Sequence, residues 1–192
     1  MIYADVLRPS VRGRSIVYDV TLVVGGSLFI ALLSQIKISL PFTPVPITGQ
    51  TLGVLLTGAM LGRTRGVAAI VVYLCEGLVG LPVFAGGAFG FTHMLGPTGG
   101  YLFGFIPGAF ITGLLAEKGW DRKTGTTILA MVLGNLAILS VGLFWLAPFT
   151  GIDRLLELGF LPFIPGEIVK IGLAAVLLPS GWKLIGKDSS AS

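Results

Sequence analysis

The chain has 192 residues, of which 54% are hydrophobic and only 11% charged, with a mean hydropathy of +0.92. Charged residues make up about a quarter of a soluble domain, so this composition excludes an ordinary soluble protein and describes an integral membrane protein. The net charge of +4 comes from short polar patches between apolar runs, not from a continuous basic face, which excludes nucleic acid as a partner.

Residues 1–19 carry Asp5, Arg8, Arg12 and Arg14 without an apolar stretch of their own, and read as a cytoplasmic N-terminal segment rather than a cleaved signal. The first spanning helix is expected over 20–40, since about 20 residues cross a bilayer. Gly26, Ser27 and Ala31 form a strip of small residues in it, which suits close helix approach, either inside this chain or to a separate membrane subunit. Residues 41–50 follow with three prolines and no charge. Proline removes an N–H and forbids regular helix, and irregular backbone at membrane depth is tolerated only over a protein-covered cavity. This stretch is therefore expected to dip back over a pocket, bringing Thr43, Thr48 and Gln50 as neutral hydrogen-bonding groups.

A short span at 51–61, a basic turn at Arg63 and Arg65, and a return span at 67–81 with Tyr73 and Glu76 come next. Glu76 fits either a solvated interfacial carboxylate or a pocket group. The single cysteine, Cys75, rules out an intrachain disulfide. Residues 82–99 are eighteen uncharged, glycine-rich positions, and loops of that length commonly serve as lids or binding loops. They hold His93, the only histidine, which therefore reads as structural or interfacial and not as a metal ligand. The fourth helix opens with Gly100, Gly104 and Gly108 on one face, two consecutive close-packing steps, and Pro107 should kink it. A charged patch at 117–123 leads into a span at 126–147, where Asn135 is expected in an interhelical hydrogen bond and Trp145 in the aromatic belt. A connection at 148–164 precedes the last span.

That last span carries the sharpest signal. Glu167 and Lys170 lie three apart, so they share a helix face, and an ionisable group inside a bilayer costs about 2.5–3.5 kcal/mol, so the two mark a ligand or ion path or else form a self-satisfied pair tying helices together. The expected organisation is a single all-α membrane domain: residues 1–19 cytoplasmic, 20–185 a six-helix transmembrane bundle, 186–192 a cytoplasmic tail. Arg8, Arg12, Arg14, Arg63, Arg65, Lys118, Arg122, Lys123, Lys183 and Lys187 then gather on one side, which the positive-inside rule makes cytoplasmic. The connections 41–50, 82–99 and 148–164 gather outside, as ordered loops capping a pocket above Glu167 and Lys170.

No catalytic or metal motif accompanies this arrangement. Gly181 to Lys187 has the spacing of a phosphate-binding loop, but Asp188 stands where Ser or Thr should hold magnesium, and no strand precedes it. HExxH, CxxC and a serine with a histidine base are all missing, so the chain is not expected to be an enzyme or to carry a cofactor.

Four ordered stretches, PFTPVPITGQT at 41–51, GLPVFAG at 80–86, LGPTGGY at 95–101 and PFIPGEIVK at 162–170, resemble the signature stretches of the BioY family. The resemblance covers about residues 20–185. It implies the biotin-specific substrate-binding component of an energy-coupling factor transporter in a prokaryotic cell membrane. Such a component works with a transmembrane coupling protein and two ABC-type ATPases, which alone use ATP. The ligand implied is biotin, with Lys170 on its valerate carboxylate and Glu167 accepting from polar groups or orienting Lys170. Gln50 and Thr98 would meet the ureido group, Tyr73 and Tyr101 would pack on the bicycle, and Thr43 would complete the loop side. Ser27 and Ala31 resemble the strip through which the family contacts its coupling protein. Family members usually carry Asp at the position of Glu167. The alternative is a stand-alone secondary carrier or facilitator for a small carboxylate vitamin, which would call for an inverted repeat that the two halves do not display.

Overall fold

The computed structural model describes residues 2–6, 8, 9 and 12–188, and over them the chain is mostly helical. A short α1 (Tyr3–Val6) precedes α2 (Arg12–Ser34), a two-stranded hairpin of β1 (Lys37–Ile38) and β2 (Ile47–Thr48), and α3 (Gln50–Leu78). Then come α4 (Phe91–Leu95), α5 (Gly99–Glu117), α6 (Thr124–Thr150), α7 (Leu155–Gly159) and α8 (Ile164–Asp188), with 3-10 turns at Trp120–Arg122 and Leu161–Phe163. Among the described residues, five helical stretches are long and apolar enough to cross a membrane.

The expected spans 51–61 and 67–81 both lie in α3, which folds back on itself at Gly62. That residue has φ 80° and ψ 175°, a conformation glycine adopts readily and L-residues do not. The reversal is tight: a Cβ at Gly66 would sit 2.9 Å from the Cα of Gly58. Gln50 and Tyr73 lie within hydrogen-bonding distance, 2.6 Å, although a straight helix would hold them about 35 Å apart. The two limbs, 50–61 and 63–78, thus form a helical hairpin.

α5 packs between the α3 hairpin and α6. In lipid there is no hydrophobic drive between helices, so close approach at small residues supplies the packing. The glycine steps of α5 do this against α6: a Cβ at Gly104 would lie 2.8 Å from the Ile138 carbonyl oxygen, and one at Gly108 2.6 Å from Ile138 Cγ1.

Three expectations are corrected. α2 spans Arg12–Ser34 and not 20–40; residues 37–48 leave the helix as a β-hairpin, with Lys37 paired to Thr48 and Ile38 to Ile47. α8 continues through Asp188, so the expected tail at 186–192 starts inside a helix, and its positions 189–192 lie outside the described residues. Finally, Ser27 is 0% exposed, and its hydroxyl donates to Glu76 Oε1 at 3.0 Å. A Cβ at neighbouring Gly26 would meet the Ala69 side chain at 3.0 Å, and Ala31 packs against the same core. Ser27 is thus spent on the second limb of α3 and lies off the surface, while Ala31 stays partly exposed.

Arginines collect at one end of the bundle. Arg65 bridges Asp5 at 3.0 Å and Asp19 at 2.8 Å, Arg8 also reaches Asp19 at 2.7 Å, and Arg63 meets Glu117 at 3.4 Å. Trp182 Nε1 donates to the buried Asp121 at 2.5 Å there, and the Tyr3 hydroxyl donates to the Leu178 carbonyl. The hairpin, the 79–98 loop and the α6–α8 connection gather at the opposite end.

Candidate functional site

At that opposite end a cavity of about 490 Å³ opens, within the range of about 300–1,000 Å³ typical of small-molecule sites. Its roof is tied down by side chains that bond backbone oxygens of irregular segments, which need partners wherever water is excluded. Thr43 donates to the Leu158 carbonyl at 2.7 Å and accepts from the Val45 N–H at 3.3 Å, fastening the proline turn to α7. Tyr101 donates to the Gly159 carbonyl at 2.8 Å, and Trp145 Nε1 to the Gly96 carbonyl at 3.1 Å. Trp145 thus anchors the long loop.

Gln50 sits at the junction of hairpin and α3. The Thr48 hydroxyl donates to its Oε1 at 3.0 Å, and its Nε2 donates to the Tyr73 hydroxyl at 2.6 Å. Tyr73 donates onward to the Val83 carbonyl at 3.0 Å. This relay fixes which end of the Gln50 amide is which. Phe84 is fully buried and packs edge-on to Tyr73 at 5.6 Å, with the His93 ring stacked on it at 5.6 Å. Both rings are possible because residue 77 is glycine: a Cβ there would collide with the Phe84 ring.

Glu167 and Lys170 stand together on α8 as their spacing requires. Lys170 Nζ donates to Glu167 Oε1 at 2.6 Å and to Thr51 Oγ1 at 2.7 Å, and Thr51 donates to the same carboxylate oxygen at 2.9 Å. Lys170 and Thr51 line the cavity, and Glu167 backs them. The pair is therefore neutralised by its own members, with a void beside the lysine.

Of the residues singled out in the sequence, Lys170, Gln50, Thr98 and Tyr101 line the cavity. Tyr73, at 0% exposure, stands one layer behind Gln50, and Thr43 lies in the roof without lining the cavity. Ser27 and Ala31 are elsewhere, on α2.

The sequence matches the BioY family over residues 8–187. The chain belongs to the BioY family. A probable biotin transporter BioY of Pyrococcus horikoshii is 41% identical over 79% of this chain and 90% of its own length. The biotin transporter BioY of Thermotoga maritima is 41% identical over 73% and 82%. Among solved structures, the S-component for biotin from an ECF-type ABC transporter superposes with a TM-score of 0.78 at 30% identity, covering 91% of this chain and 95% of that one.

This BioY family member also places on the cavity wall Lys37, Thr51, Phe105 and Phe163, which the sequence did not single out, and His93, which it read as structural or interfacial. Phe105 had a signal, since it follows Tyr101 by four residues on one helix face. Lys37 had none: only the β-hairpin, which turns its strand over the pocket, brings it there. Among the described residues Lys37 has no ion-pair partner. Burial, and then Lys37 itself, holds the His93 imidazole below its ordinary pKa, so it is neutral at physiological pH. Two lysines, one carboxylate and a neutral histidine leave the site with one uncompensated positive charge. Such a site suits a monoanion with an apolar body and hydrogen-bonding groups.

Proposed function

We propose that this protein captures biotin from outside the cell as the S component of an ATP-driven vitamin importer in a prokaryotic membrane. The observation that carries the reading is the lidded cavity with one unbalanced positive charge in a chain of the BioY family. Counting the two limbs of α3 separately gives six crossings. Both termini then share the arginine-rich side, which the positive-inside rule assigns to the cytoplasm, and the cavity opens outward. The chain catalyses nothing itself: a transmembrane coupling protein and two ABC-type ATPases supply the energy, and the bundle is solvated by membrane lipid.

In this reading the biotin carboxylate pairs with Lys170, its ureido group meets Gln50 and Thr98, and its bicycle packs on Tyr101. Tyr73 orients Gln50, Thr43 holds the roof, and Glu167 fixes Lys170. A second placement puts the carboxylate on Lys37, because Lys170 already shares its charge with Glu167. The purified chain in vesicles should bind biotin alone and import it only when the coupling protein and ATPases are present. Uptake by the chain alone would favour a stand-alone carrier, and no binding at all would overturn the assignment.

A further inference from the structure

Thr51 is the second residue of α3. A threonine deeper in a helix can return its hydroxyl to the carbonyl four residues back in the same helix. For Thr51 that residue is Ile47, which lies in β2, so the hydroxyl is free to act across the bundle. It reaches α8, where it meets Glu167 and Lys170, and among the described residues these are the only side-chain hydrogen bonds between α3 and α8.

The chemistry of the three groups fixes which of them donates. An ammonium only donates, an ionised carboxylate only accepts, and a hydroxyl donates once and also accepts. Lys170 Nζ therefore gives one N–H to Glu167 Oε1 at 2.6 Å and one to Thr51 Oγ1 at 2.7 Å, and Thr51 passes its own proton to the same Oε1 at 2.9 Å. The triangle uses two of the three ammonium protons, and among the described residues the third has no partner. Lys170 and Thr51 line the cavity, with Glu167 behind them. A lysine facing a carboxylate alone can lie between its two oxygens and give both protons to them. Thr51 stands in the way of that arrangement: it takes one N–H for itself and keeps Nζ on a single carboxylate oxygen. Glu167 and Lys170 share one helix, so the group that fixes how their pair faces the cavity comes from another helix.

We propose that Thr51 is a positioning residue that sets the preference of the cavity for a carboxylate, by holding Lys170 so that its third N–H is presented to the ligand. The inference rests on the reading of Lys170 as the partner of the biotin carboxylate. Thr51 acts through Lys170 and needs no contact with biotin itself. Without the hydroxyl, Lys170 draws back onto Glu167, and the ligand's charge loses its partner while the rest of the cavity stays as it is.

The test is calorimetric titration of the full chain with biotin and with biotin amide, for the unaltered protein, for Thr51→Val, which removes the hydroxyl, and for Thr51→Ser, which keeps it. The unaltered protein should prefer biotin at least tenfold. In Thr51→Val the preference should fall to threefold or less, with the loss on biotin and the amide affinity changed less than twofold. In Thr51→Ser it should stay within twofold of the unaltered value. Should Thr51→Val fail to fold, Thr51→Cys, whose thiol is a weak donor and a weak acceptor, should lower the preference at least threefold. Equal weakening of biotin and amide in Thr51→Val would make Thr51 a structural tie between α3 and α8 and overturn the proposal. So would an unchanged preference in Thr51→Val or Thr51→Cys, or a Thr51→Ser protein that behaves like Thr51→Val. A preference that survives Thr51→Val but is removed by Lys37→Met would place the carboxylate on Lys37, overturning this proposal and leaving biotin as the ligand. Absence of binding of either compound to the unaltered protein would instead overturn the biotin reading, and this inference with it.

Discussion

The two ends of the bundle use the same kinds of charged residue to opposite effect. At the arginine end, Arg65, Asp5 and Asp19 form a shared network in which the carboxylates are partly exposed. At the cavity end, Glu167 and Lys170 keep only 8% and 13% of their side-chain surface exposed. Exposed pairs contribute about 0–1 kcal/mol, whereas breaking a buried pair costs about 3–5 kcal/mol because it strands a charge. One end uses charge for orientation across the membrane, and the other holds it in reserve beside a void. Backbone approaches closely at both ends, Gly58 on Gly66 toward the arginine end and Gly49 on the Leu33 carbonyl toward the cavity end, and the cavity end is further spanned by side-chain hydrogen bonds to loop carbonyls.

The largest expected effect breaks that comparison at the buried pair. Lys170→Ala should lower stability by about 3–5 kcal/mol, read as thermal aggregation in detergent. The double variant Glu167→Gln with Lys170→Met should recover most of the stability while biotin binding stays lost. If the double variant binds biotin normally, the pair is structural only. Next, Gly66→Val drives a side chain into the Gly58 backbone, and overpacking of this kind costs about 1–3 kcal/mol. It should lower the melting temperature without changing the affinity of the protein that survives. Arg65→Ala removes a side chain only 14% exposed, but its Asp5 and Asp19 partners keep 39% and 27% of their surface and stay hydrated, so the loss should be smaller than that of Lys170→Ala and leave binding unchanged; a loss as large would erase the distinction between the two ends. Tyr101→Phe removes one bond to the roof, worth about 0.5–1.5 kcal/mol, and should speed biotin dissociation a few-fold.

The smallest effect is a pH slope. His93 has its folded-state pKa depressed below 6.5 by burial and Lys37, so acidification below that value protonates the unfolded chain first. The stability held by neutral His93 is full above pH 6.5 and declines as pH falls through the lower folded value. His93→Gln should flatten the melting-temperature profile over that window. An unchanged profile would place the slope on other groups.

Much of this was legible in the sequence because it rests on local chemistry. The apolar runs announce membrane helices, the three-residue spacing puts Glu167 beside Lys170, and the uncharged proline and glycine stretches mark the roof. What was not legible depends on where a long-range fold takes a residue. Ser27 reads as a docking surface until Glu76 and Ala69 are seen against that face of α2. Lys37 reads as a helix end until β1 and β2 pair. Tyr73 and Thr43 have the chemistry of ligand contacts, but they spend their hydroxyls on Gln50, Val83 and Leu158. The reversal at Gly62 is compressed into one glycine, so no loop-like composition announces it.

The central claim, that the cavity is built for a small monoanion, is tested most directly by calorimetric titration of the purified chain with biotin and with biotin amide. The account predicts that biotin binds at least tenfold more tightly than the amide, and that Lys170→Met combined with Glu167→Gln, or Lys37→Met, removes that preference. Equal affinity of biotin and its amide for the unaltered protein would contradict it.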